Sequence, residues 1–110
     1  MTRFAPAPRS PNCVSSRAAP DDREHHIAPL RGVSLDAIRT AMATFPRVAL
    51  VEEDPGYLHF VVTTLLMRFK DDVEFEAEGD VVHVRSASRT GYGDLGVNRA
   101  RVEALRKALA

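Results

Sequence analysis

Arginines and serines gather where a strand-like run meets a glycine-rich turn. Val81-Val82-His83-Val84-Arg85-Ser86-Ala87-Ser88-Arg89 alternates as a strand does, Thr90-Gly91-Tyr92-Gly93-Asp94-Leu95-Gly96 is a turn, and Val97-Asn98 leads into a helical pattern from Arg99. The chemistry such a junction can do is to hold an anion. The first N–H groups of a helix have no partner within it and carry the positive end of its dipole, so a phosphate or carboxylate arriving over glycines meets donors already in place. Ser86, Ser88, Arg89, Gly96, Asn98 and Arg99 are the candidate ligand-binding residues. The run lacks the Gly-Lys-Ser/Thr ending of a P-loop.

The same cations have candidate partners inside the chain. An arginine near a helix start opposes the dipole by roughly 0.3–1 kcal/mol, so Arg89, Arg99 and Arg101 call for negative counterparts. Asp94, with Asp71 or Asp72, could supply them as a structural network that includes Arg101. Two functions therefore stand open. One is a small domain that binds a small anionic ligand or an acidic partner group. The other is a structural or interaction protein whose arginines lock onto its own carboxylates.

No catalytic, cofactor or metal set completes itself. Cys13, in Pro-Asn-Cys-Val-Ser-Ser, would need a histidine beside it to act as a nucleophile, and its plain role is a small buried filler. His25, His26, His59 and His83 lack the i, i+4 spacing of a ligand pair on a helix. Asp71 and Asp72 are neighbours on a strand and point to opposite faces, so they do not form a dyad, and one of them is expected to pair with Arg89.

The elements that must position these residues follow from periodicity. Ser34 caps a short helix carrying Leu35, Ile38, Ala41, Met42 and Phe45 at helical spacing, and Pro46 stops it. Val48–Glu52 and Tyr57–Thr64 form a hairpin around Asp54-Pro55-Gly56, while Leu65–Phe69 fits either a strand extension or a turn. A two-residue loop at Gly79-Asp80 sets a second hairpin, pairing Glu78 with Val81, Glu76 with His83, Glu74 with Arg85 and Val73 with Ser86. Val73, Phe75, Ala77, Val82 and Val84 then share the buried face, and Arg85 and Glu74 make a surface pair. Asn98 caps a last helix from Arg99 to about Leu109.

The expected fold is α+β: an antiparallel four-stranded sheet with two helices on one face, in the order α-β-β-β-β-α. Residues 33–110 make the single domain. Residues 1–32, with five of the 7 prolines, are expected as an irregular N-terminal arm, and Asp21–His26 as a solvated loop. A chain of 110 residues has room for one core. Its 15 Lys and Arg balance 15 Asp and Glu, which argues against nucleic acid as partner. The charges are polarised, with acids crowding Glu52–Asp80 and arginines the end of the chain. The longest apolar run is too short to span a bilayer, the first residues have no signal-like core, and one cysteine forms no intrachain disulfide. Those features set the expectation of a soluble, cytoplasmic protein without membrane insertion.

Three segments carry a family resemblance: Ser10–Ser16, Arg68–Phe75 and Val84–Glu103. Together they resemble the bacterial and plastid family named domain of unknown function 1499. The resemblance implies the identity of the domain and no activity. Lys70 stands where that family tends to be apolar, and many members carry an N-terminal export or membrane segment that is not seen here.

Overall fold

The computed structural model describes residues 2–91 and 93–110, so Tyr92 of the glycine-rich turn lies outside the described residues. The elements are β1 (Cys13–Ser15), β2 (Leu30–Arg31), α1 (Leu35–Met42), β3 (Val48–Asp54), β4 (Tyr57–Thr63), β5 (Lys70–Glu78), β6 (Val81–Ser88) and α2 (Val97–Leu109). The fold is α+β, with a 6-stranded sheet in the order β1-β6-β5-β4-β3 and β2 also on β6. The named strand pairs are all antiparallel.

Turn chemistry dictates the central register. Gly79 takes a positive φ of 60°, which closes β5 onto β6 through a two-residue loop and pairs Glu74 with Arg85 and Val73 with Ser86, as the sequence predicts. Pro55 followed by Gly56 at φ 76° does the same for β3 and β4. Phe75, Val73, Val84 and Val82 face Ile38 and Met42 of α1 and Val102 and Leu105 of α2, and this layer is the core. Ser34 caps α1 by accepting from the Ala37 N–H at 3.0 Å. Ala77, expected in the buried layer, is exposed near the end of β5.

Several expectations change. The sheet has six strands rather than four, because residues 1–32 contribute β1 and β2 on the free edge of β6 instead of forming an irregular arm. The element order gains these two strands before α1. The second face of the sheet is not left to solvent either. Residues from Thr2 onward cross it: Phe4 is buried, Glu76 accepts from Thr2 Oγ1 and the Arg3 N–H at 2.7 Å each, and the Arg3 guanidinium lies 3.7 Å from the Tyr57 ring centroid. Beneath this cover the Glu74–Arg85 pair, at 3.8 Å, is only 12% exposed on each side, so it is no surface pair. Glu76 stands opposite His83 in register, as expected, but its carboxylate pairs with Arg17 and the His83 ring faces Glu78.

In the Asp21–His26 segment Asp21, Arg23 and Glu24 are exposed as expected, but His25 is pinned. His25 is buried, with Nδ1 2.8 Å from Asp22 Oδ2 and Nε2 2.9 Å from the Ser10 carbonyl. Both ring nitrogens face acceptors, so the imidazolium is favoured: the Ser10 carbonyl, then Asp22, raise the His25 pKa above its ordinary 6.5 against the effect of burial. A raised folded pKa gives stability that is complete below the unfolded value and lost as pH rises through the folded one. Thermal melts from pH 5.5 to about 8.5 are therefore expected to show the parent losing its advantage over His25→Gln as pH climbs past 6.5. A constant difference across that range would contradict this.

Among the described residues no helix is long and apolar enough to cross a membrane.

Candidate functional site

Alternation along β6 turns Ser86 and Ser88 toward α2, and Asp71 on β5, opposite Ser88, faces the same way. Arg101, one turn into α2, reaches all of this layer. Its Nη2 donates to Asp71 Oδ2 at 2.6 Å, and its Nη1 donates to Asn98 Oδ1 at 2.8 Å and Ser86 Oγ at 3.1 Å. Asn98 completes the cluster. Its Nδ2 donates to Asp94 Oδ2 at 2.7 Å, Ser88 Oγ at 3.0 Å and the Asn12 carbonyl at 3.2 Å, while Ser86 Oγ donates to Asn98 Oδ1 at 2.7 Å. Ser86 and Asn98 are 0% exposed and Asp71 1%, so these bonds form away from water.

The start of α2 is held from outside the helix. Leu95 and Gly96 are both left-handed, at φ 54° and 78°, which swings the Asp94 carboxylate beneath the first turn. It accepts from the Gly96 N–H at 2.9 Å and the Asn98 N–H at 3.1 Å. Asn98 is thus not the cap that its residue type suggests; the helix begins at Val97, and Asp94 accepts from the first-turn donors of Val97, through its carbonyl, and Asn98, through its carboxylate. Burial works against ionisation of Asp94, yet the donors from Asn98 and Gly96 hold its pKa below the usual carboxylate value.

The other cations also have partners. Arg89 grips Asp72 in a fork, Nε to Oδ2 at 2.8 Å and Nη2 to Oδ1 at 2.9 Å, and Asp72 also meets His59 Nε2 at 2.8 Å. Arg89 first, and His59 with it, lower the Asp72 pKa against its partial burial. Asp71 and Asp72 sit on opposite faces, one with Arg101 and the other with Arg89. Arg99 Nη2 donates to the carbonyls of Arg23, Glu24 and His26 and so ties α2 to the N-terminal segment. Of the candidate residues, Ser86, Ser88 and Asn98 come together with Asp71, Asp94 and Arg101, Gly96 lies at the helix start, and Arg89 and Arg99 diverge.

Two hollows flank this cluster. One, of about 340 Å³, is lined by Gly96, Arg99, Asp94 and Glu24. The other, of about 460 Å³, lies between the turn after β4 and the loop before α2, among Leu66, Met67, Phe69, Leu95 and Val97, with Asp71 and Ser88 also on its wall. Asp71 Oδ1 is buried and has no hydrogen-bond partner among the described residues.

Cys13 is fully buried beside the second face, and burial pushes its thiol pKa up, away from the thiolate a nucleophile needs. Among the described residues, no three His, Cys, Asp or Glu side chains gather as metal ligands.

Asn12 belongs to the same cluster: its carbonyl accepts from Asn98 Nδ2 and from the Ser88 N–H at 3.0 Å, and its Nδ2 donates to the Gly91 carbonyl at 2.7 Å. Nothing local in Ser10–Ser16 signals that role, because its partners are more than seventy positions away in sequence.

Neither the curated proteins nor the solved structures contain a match to this chain. A family model described as protein of unknown function (DUF1499) matches residues 3–109. That match covers nearly the whole chain, and the protein belongs to the DUF1499 family.

Proposed function

We propose that the chain works as a structural and interaction domain in which the arginine-rich junction is an internal lock. Arg101 and Arg99 fasten α2 to β5, β6 and the N-terminal segment, Arg89 ties the end of β6 to β5, and the loops so held form the surface that other molecules meet. The observation that carries this proposal is the Asp94 carboxylate on the Gly96 and Asn98 N–H groups. It occupies the position that an external anion would take at this helix start.

A small anionic ligand held by Ser86, Ser88, Arg89, Gly96, Asn98 and Arg99 is the second reading. It is favoured by one observation, that Gly96 and Arg99 line an open hollow. The carboxylates of Asp94 and Glu24 on the same hollow oppose it.

Thermal melts of the parent and of Asp94→Ala, with and without inorganic phosphate, separate the two. The lock predicts that Asp94→Ala loses about 1–2 kcal/mol of stability, as a lost helix cap with a stranded donor does. It also predicts that phosphate leaves the parent unmoved. A stable Asp94→Ala protein, or a phosphate-dependent rise that Arg99→Ala abolishes, overturns the lock.

A further inference from the structure

We infer that the cleft between the β4–β5 turn and the β6–α2 loop is a binding site for a small, mainly apolar molecule bearing one neutral hydrogen-bond donor, an alcohol or an amide N–H, directed at Asp71. The wall is apolar and otherwise exposed: Leu66 is 88% and Leu95 103% accessible, with Met67, Phe69 and Val97 between them. Large apolar side chains from two separate segments converge on one concavity, in the size range of small-molecule sites. Met67 adds a side chain that adapts its shape to what it covers.

Asp71 states the polar requirement. Oδ2 is bonded to Arg101, whereas Oδ1 is buried and unpartnered among the described residues, an acceptor awaiting a donor. Charge then chooses among donors. The Asp71 carboxylate is already balanced by Arg101 at 2.6 Å, so an ammonium group would place a second cation on a matched pair. Arg68 and Lys70 line the groove on the other face at the same end of the sheet, which disfavours a cation further. An anionic group would set lone pairs against Oδ1 and add charge beside Asp71 and Asp94, both of which line the cleft. A neutral donor satisfies Oδ1 without either penalty.

This goes beyond the lock and is tested apart from it. The full chain is titrated with 1-octanol, octanoate and octylammonium, each below its aggregation concentration, and followed by amide NMR shifts. The expected result is saturable binding of 1-octanol, at least five-fold tighter than either ion, with shifts at residues 64–71 and 90–97. Leu66→Asp and Leu95→Glu, both on exposed positions, are expected to weaken binding at least ten-fold, and Asp71→Asn to erase the preference for the alcohol over octanoate. If Asp71→Asn does not fold, the two wall variants and the ranking of the three probes decide alone. No saturation with any probe, equal affinity for all three, shifts elsewhere on the protein, or parent-like binding by the wall variants overturns the inference. The melts of Asp94→Ala report on the lock independently of these outcomes.

Discussion

Arg101→Ala is expected to destabilise the protein by about 3–5 kcal/mol, the largest effect of any single charge removal in the fold. Asp71 keeps 2% of its side-chain surface and Arg101 14%, and they meet at 2.6 Å. Taking the guanidinium away leaves a carboxylate with no charge partner in a place water does not reach. The same change strips a donor from Ser86 Oγ and Asn98 Oδ1. Domains of this size hold about 5–15 kcal/mol in total, so the variant is expected near or past the edge of folding at 37 °C. Arg101→Lys is expected to fall between the two, since a single ammonium cannot reach Asp71 and Asn98 together with the fork geometry of arginine. Urea unfolding followed by circular dichroism checks both, with the midpoint moving and the slope unchanged. A midpoint for Arg101→Ala within the error of the parent would contradict the prediction.

Asn98→Ala is expected to lose about 2–4 kcal/mol, for a different reason. No charge is removed, but one fully buried amide serves five bonds: Nδ2 to Asp94, Ser88 and the Asn12 carbonyl, and Oδ1 from Ser86 and Arg101. Deleting it takes one bond from each of five groups at once and leaves the buried Ser86 hydroxyl without an acceptor and Ser88 Oγ without its donor. Asn98→Asp is the sharper test, because it keeps the shape and replaces the donor facing Asp94 at 2.7 Å with a carboxylate oxygen. It is expected to be at least as damaging as alanine, and its deficit to shrink as pH falls and one of the two carboxyls takes a proton. Amide exchange should show protection lost from the end of β6 through the first turn of α2, with the β3–β4 hairpin retained. An Asn98→Asp protein as stable as the parent at pH 7 would remove Asn98 from the centre of the cluster.

The sequence exposes the parts of this fold that local rules control. The β5–β6 register was legible because Gly79-Asp80 allows one loop length, and every pairing then follows from the pleat. The Ser34 cap and the apolar stripe of α1 were legible for the same reason, since cap and helix are adjacent in the chain. Strands β1 and β2 were not. With 3 and 2 residues they are too short to show any period, and what makes them strands is the edge of β6, some seventy and fifty positions away. The helix start went astray where two rules competed. Asparagine is a favoured cap by type, but Leu95 and Gly96 in left-handed conformations bring Asp94 to the task and release Asn98 to the interior. The cleft was invisible because Leu65–Phe69 reads as either strand or turn. Only the fold shows that the turn stands beside Leu95 and puts Asp71 on the wall of the cleft they form.

The internal lock turns on whether Arg101 and Asp71 need each other. A double-mutant cycle with Arg101→Ala, Asp71→Ala and the pair, measured by denaturant unfolding, isolates that interaction. The lock predicts that removing both costs less than the sum of the single losses by about 2 kcal/mol or more, because each single variant strands a buried partner. Losses that add to within about 0.5 kcal/mol would contradict it.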